Sequence, residues 1–141
     1  MGKINCSRVF LGGLVFWGVG AVLWLVVMFL YMGTEVSAAW KVLGLQVPRT
    51  PAFALFWAVL VYVVGVMAMW LYAAIRPRYG PGPKTAVRAG LALWLIGKVP
   101  HMVFLGAAGV FPVRFVVINT ATDLVLMVAA TVVGAWSYKE E

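Results

Sequence analysis

Apolar residues run almost without interruption through four stretches, roughly 9–32, 52–75, 86–109 and 113–137, and polar residues gather between them. At a rise of ~1.5 Å per residue, about 20 residues cross a hydrocarbon core of ~30 Å. Each stretch therefore has the length of a transmembrane span. A spanning segment must satisfy its own backbone hydrogen bonds, which leaves helices or a closed barrel, and continuous apolar runs rather than short alternating ones select helices. The predicted fold is an all-α integral membrane protein: a four-transmembrane-helix bundle in a single domain covering residues 1–141.

The connections differ in kind. Between the first two spans, Val36, Trp40, Leu43 and Val47 recur at helical spacing, with Glu35, Ser37, Lys41 and Gln46 on the other faces. This pattern predicts a short interfacial helix over 36–47, with Trp40 at headgroup level and Pro48 and Pro51 ending it before the second span. An interfacial brace is the simpler role for it; a lid over a binding site is the alternative. The second connection, Arg76-Pro-Arg-Tyr-Gly-Pro-Gly-Pro-Lys84, packs three prolines and two glycines into nine residues. Such a composition predicts a shaped, non-helical loop. The third connection, Gly109–Arg114, is short enough that spans three and four form a tight antiparallel hairpin.

The pattern also repeats. Gly13-Leu14-Val15-Phe16-Trp17-Gly18-Val19-Gly20 matches Gly90-Leu91-Ala92-Leu93-Trp94-Leu95-Ile96-Gly97 as G-L-x-x-W-x-x-G, and Trp70-Leu71-Tyr72 echoes Trp136-Ser137-Tyr138. Two repeated hairpins in the same orientation, related by a pseudo-two-fold axis along the membrane normal, would produce this. Gly13 with Gly20, Gly90 with Gly97, and Ala130 with Gly134 are candidate small-residue faces for close helix packing.

Composition excludes a water-soluble fold. Hydrophobic residues make up 65% of the chain and charged ones 11%, against about 25% charged in soluble domains. The net charge of +7 would suggest nucleic acid in a soluble protein, but here its distribution gives a different reading. Lys3, Arg8, Arg76, Arg78, Lys84, Arg88 and Lys139 lie at one end, Lys41, Arg49 and Arg114 at the other, and Lys98 within a span. Seven against three is the positive-inside bias. It predicts cytoplasmic termini and a cytoplasmic basic loop of Arg76, Arg78, Lys84 and Arg88. The expected partners are the lipid bilayer, with a contribution from anionic headgroups, and other membrane subunits or further copies of the chain, not nucleic acid. Cys6 is the single cysteine, so an internal disulfide and a cysteine metal cluster are excluded. Met1-Gly2 resembles the start of a myristoylation signal, but Cys6 stands where the signal needs Ser or Thr, and the match is read as chance.

One polar constellation interrupts the apolar runs. Lys98 and His101 lie on span three, and Asn119, Thr120, Thr122 and Asp123 on span four. Counting ~1.5 Å per residue places Lys98 and Asp123 at the same depth, roughly 20 Å from the basic end, with His101 and Asn119 one turn beyond. Two rungs are expected, Lys98–Asp123 and His101–Asn119. An isolated charge at mid-membrane costs on the order of 2.5–3.5 kcal/mol, so pairing or water access is required. Pro100 should kink span three and free a backbone carbonyl near the site.

The stretch Trp70-Leu-Tyr-Ala-Ala-Ile-Arg-Pro-Arg-Tyr-Gly-Pro-Gly-Pro-Lys-Thr-Ala86, then Ala89-Gly-Leu-Ala-Leu-Trp94, and the ending Gly134-Ala-Trp-Ser-Tyr-Lys-Glu140 resemble a set of small, uncharacterised four-span bacterial membrane proteins. The resemblance implies a bacterial inner-membrane location and a four-helix fold, and brings no known activity. The chain departs from that set in span one, where Val19-Gly-Ala-Val-Leu-Trp24 replaces a polar cluster. Its size and span count are also those of microsomal glutathione-transferase-like proteins, whose Arg/Asn/Glu patterning it lacks.

No nucleophile–base pair, metal triad or phosphate-binding glycine loop is present in the sequence, so an enzyme is not expected. The leading expectation is a non-catalytic accessory or structural subunit of a larger membrane assembly, with a Lys98–Asp123 pair fixing the hairpin of spans three and four. The alternative is a small oligomeric transporter or proton pathway using Lys98, His101 and Asp123. A third reading makes His101 an axial ligand to haem or a pigment. No metal or cofactor is predicted outside that third reading.

Overall fold

The computed structural model describes residues 4–138, which form four long helices and, among the described residues, no strand. They are α1 (Cys6–Val42), α2 (Pro51–Tyr79), α3 (Pro83–Ala107) and α4 (Val113–Trp136), each long and apolar enough to cross a membrane. The protein is a multi-pass membrane protein with an all-α four-helix bundle. Met1-Gly2, Lys3 and Lys139 lie outside the described residues.

Local chemistry sets the helix starts. The Asn5 side chain accepts from the Arg8 N–H at 3.1 Å, and Thr50 Oγ1 accepts from the Phe53 N–H at 3.2 Å. Pro51 and Pro83 occupy the first turns of α2 and α3, where the missing N–H is not needed.

Two connections differ from expectation. No separate interfacial helix exists over 36–47: residues 33–42 continue α1 through a π turn at Met28–Met32, and the helix ends at Val42. Gly33 explains the continuity. Its N–H bonds the Met28 carbonyl, and a Cβ there would stand 2.8 Å from that oxygen, so glycine admits the wider turn without a break. Val36 and Trp40 are half-buried, Val36 packing on the outer core, whereas Leu43 is exposed and Val47 half-buried beyond the helix. At ~1.5 Å per residue α1 is about 55 Å long, well beyond a hydrocarbon core of ~30 Å. The Arg76–Lys84 loop is likewise shorter than expected. α2 runs through Pro77 to Tyr79, leaving only Gly80–Gly82 outside helix. Pro77 breaks little in the last turn of a helix, and the bend falls to Gly80 and Gly82, whose φ values of 79° and 119° favour glycine.

The helices form a ring. α1 packs on α2 and α4, α3 packs on α4 and α2, and α2 touches α4 across the diagonal. Exchanging the first hairpin for the second preserves this arrangement, and the repeat occupies matching places in it. Gly13 seats against Val66 of α2, where a Cβ would lie 2.9 Å from the Val66 nitrogen; Gly90 seats against Val128 and Thr131 of α4, where a Cβ would lie 3.1 Å from the Val128 Cα. Tyr72 and Tyr138, the ends of the two echoed tripeptides, meet edge to face with centroids 5.9 Å apart. The other halves of the glycine pairs do not pack: Gly20 and Gly97 face open space. Further close approaches come from Gly65, Gly12 and Gly134, the last two forming a slot around fully buried Met69.

Two cores result. One, nearer the ends that carry residues 5 and 138, holds Phe16, Met69, Tyr72, Ala89, Ala130 and Tyr138; the other holds Met32, Ala39, Met102 and Phe115. Along α4 the stretch Asn119–Asp123 falls between them.

Candidate intramembrane polar site

α4 carries the site, and a π turn on each neighbouring helix faces it. On α3 the turn spans Trp94–Lys98, and the Val99 N–H reaches back five residues to the Trp94 carbonyl. Pro100, two residues after the turn, has no N–H to return to the helix, so a widened turn there forgoes less hydrogen bonding than elsewhere. From this turn the Trp94 Nε1–H donates to the Thr120 carbonyl at 2.9 Å, and Lys98 forms an ion pair with Asp123. On α1 the Met28–Met32 turn carries Tyr31, whose hydroxyl hydrogen-bonds Thr122 Oγ1 at 2.7 Å. Extra residues in helices often occur where side chains must be re-aimed at a polar site.

The Lys98–Asp123 rung is therefore formed, but it is not sealed. The Lys98 side chain remains 26% exposed and that of Asp123 18%, so the pair borders the outer surface of the α3–α4 seam. A pair in this position neutralises both charges, yet its ends remain within reach of a neighbour in the membrane. Deeper in, Asn119 is buried at 5% exposure, and the buried Thr120 Oγ1 has no hydrogen-bond partner among the described residues.

The second expected rung is absent: His101 is exposed while Asn119 is buried, and no hydrogen bond joins them. Residues three apart lie about 60° apart around a helix. The long Lys98 chain spans that angle to reach Asp123, whereas the short imidazole stays on the outer face with Gly97, Pro100 and Phe104, all exposed. Sequence reasoning missed Tyr31 and Trp94, which read as ordinary aromatics in apolar runs. It also missed the Arg114–Glu35 pair at the far end, 2.7 Å, which ties the start of α4 to the extension of α1. Pro100 was the one available signal for irregularity in α3; the π turn of α1 had only Gly33.

The basic residues at the opposite end are ordered by rings. Arg88 lies over Tyr79 at 4.6 Å and Arg78 over the same ring at 5.9 Å, while Arg76 lies over Tyr138 at 5.5 Å. Lys84 is exposed. Among the described residues no group of three or more His, Cys, Asp or Glu is placed to hold a metal ion.

Comparisons with protein-family models, with curated proteins and with solved structures found no significant match to this chain.

Proposed function

We infer that the protein is a non-catalytic accessory or structural subunit of a larger membrane assembly, in which Lys98–Asp123 fixes the α3–α4 hairpin. His101 carries the reading. Ionisable side chains within membrane spans almost always face a bundle interior or a cavity, yet this imidazole stands on the outer face of α3 among Ile96, Val103 and Phe104, all exposed. A second protein surface covering that face would give it a hydrogen-bond partner, and exposed Gly97 one turn away would permit close helix approach. A bacterial inner membrane with cytoplasmic termini belongs to the same reading, supported by the seven-to-three distribution of cations.

The test is gentle-detergent purification from native membranes, with mass spectrometry and an absorption spectrum, for the wild type and His101→Leu. Expected are stoichiometric companion subunits that His101→Leu releases, while the isolated four-helix protein remains folded and at least as thermostable. A colourless homo-oligomer with no companion in either form would refute this reading. A visible band removed by His101→Ala would instead make the protein a haem- or pigment-binding subunit.

A second reading, a small transporter or proton pathway, draws on the partly open Lys98–Asp123 pair beside the Tyr31–Thr122 hydroxyls and the unpartnered Thr120 Oγ1. Asp123→Asn separates the two. Loss of transport in vesicles with normal assembly favours the pathway, and loss of accumulation with no transport defect favours the structural pair.

A further inference from the structure

Arg78 and Arg88 come from different helices, yet both stack on Tyr79. The hairpin between them is fixed rather than loose. Thr85 Oγ1 donates to the Gly80 carbonyl at 2.7 Å, and the Gly82 N–H donates to the Tyr72 hydroxyl at 3.2 Å. Arg78, Tyr79, Lys84 and Arg88 are all exposed. Among the described residues no carboxylate pairs with any of the three cations; the ion pairs there are Lys98–Asp123 and Arg114–Glu35. Two guanidiniums pre-placed on one ring and an ammonium at the same hairpin match the oxygens of a phosphate diester.

We propose that the Gly80–Gly82 hairpin, with Arg78, Tyr79, Lys84 and Arg88, is a binding site for the phosphate headgroup of an anionic phospholipid. Its place at the ends of two membrane-spanning helices favours a lipid over a dissolved anion, because residues in the last and first turns of such helices sit at headgroup level. A flexible basic loop would attract anionic lipid through its field alone, at roughly 1 kcal/mol per cation. This site differs in that Tyr79 holds two of the cations in place.

That difference supplies the test. The purified protein, released from detergent in a mass spectrometer after incubation with phosphatidylglycerol or phosphatidylethanolamine, is expected to retain the anionic lipid preferentially. Arg78→Gln and Arg88→Gln should each weaken its retention about fivefold. Tyr79→Leu leaves every charge in place and should still weaken it about two- to fivefold, since an exposed cation–π contact is worth ~0.5–1 kcal/mol. Lys41→Gln with Arg49→Gln, at the other end, should change nothing. Wild-type retention in Tyr79→Leu would reduce the site to a diffuse field, and equal retention of both lipids would remove it altogether; either overturns the proposal. Displacement of phosphatidylglycerol by inorganic phosphate at equal concentration would also overturn it, assigning the site to a free anion.

Discussion

Gly65→Ala tests the packing of the first hairpin most directly. A Cβ at residue 65 would lie 2.7 Å from the Gly13 carbonyl oxygen and 2.8 Å from Phe16 Cδ1. Carbon–oxygen contacts between helices settle at about 3.3 Å or more, so the shortfall against Gly13 is about 0.6 Å. That oxygen is backbone and cannot rotate aside, and Gly13 in turn has its own Cβ position 2.9 Å from the Val66 nitrogen. The substitution must therefore push α1 and α2 apart. In lipid there is little hydrophobic drive to hold them, and dispersion at the close approach is what is lost. Overpacking of this kind costs about 1–3 kcal/mol. Gly20→Ala is the control, since nothing lies within 4 Å of its Cβ position and alanine is the better helix former. The assay is thermal or denaturing-detergent unfolding in the same micelle, followed by circular dichroism. Gly65→Ala should unfold earlier by that margin and Gly20→Ala no earlier than wild type. Equal stabilities for the two variants would refute the interlocked-glycine account of the α1–α2 contact.

Removing one member of the ion pair should matter more than removing both. Lys98→Met leaves Asp123 without its counter-ion within the span and should lower stability by roughly 2–3 kcal/mol, whereas Lys98→Met with Asp123→Leu should recover most of it; a double variant as unstable as the single would show that the pair is not the coupled unit described. Gly33→Ala should restore ordinary helix register at the π turn of α1, because its Cβ meets the Met28 oxygen at 2.8 Å. Tyr31 would then rotate away from Thr122, so the destabilisation from Tyr31→Phe, about 0.6 kcal/mol for a hydrogen bond in this setting, should vanish in the Gly33→Ala background. A persistent effect in that double-mutant cycle would contradict the role given to the turn.

The sequence by itself determined the class, the four spans, the antiparallel order and the depth match of Lys98 with Asp123. Each follows from a period or a length that lipid enforces: a helix rises uniformly, and a charge at mid-membrane demands a counter-charge at its own level. Of the repeated pattern, Gly13 and Gly90, and Tyr72 and Tyr138, take comparable places in the two hairpins, whereas Gly20 and Gly97 pack against nothing. What remained hidden was azimuth. Only the folded bundle decided that His101 faces outward while Asn119 faces inward, that Gly12, Gly65 and Gly134 rather than Gly20 and Gly97 meet neighbouring helices, and that Tyr31 and Trp94 join the polar site. For the polar site the physical reason is that two π turns change the angular register of α1 and α3, and an extended chain such as Lys98 reaches across an angle that a short one cannot; which glycines pack is set by how the helices are rotated against one another. The same limit applied at the connections. Segment 33–42 reads as part of a separate interfacial helix and 76–79 as part of a loop, yet each continues a helix that has already been nucleated and loses nothing by extending into the interface.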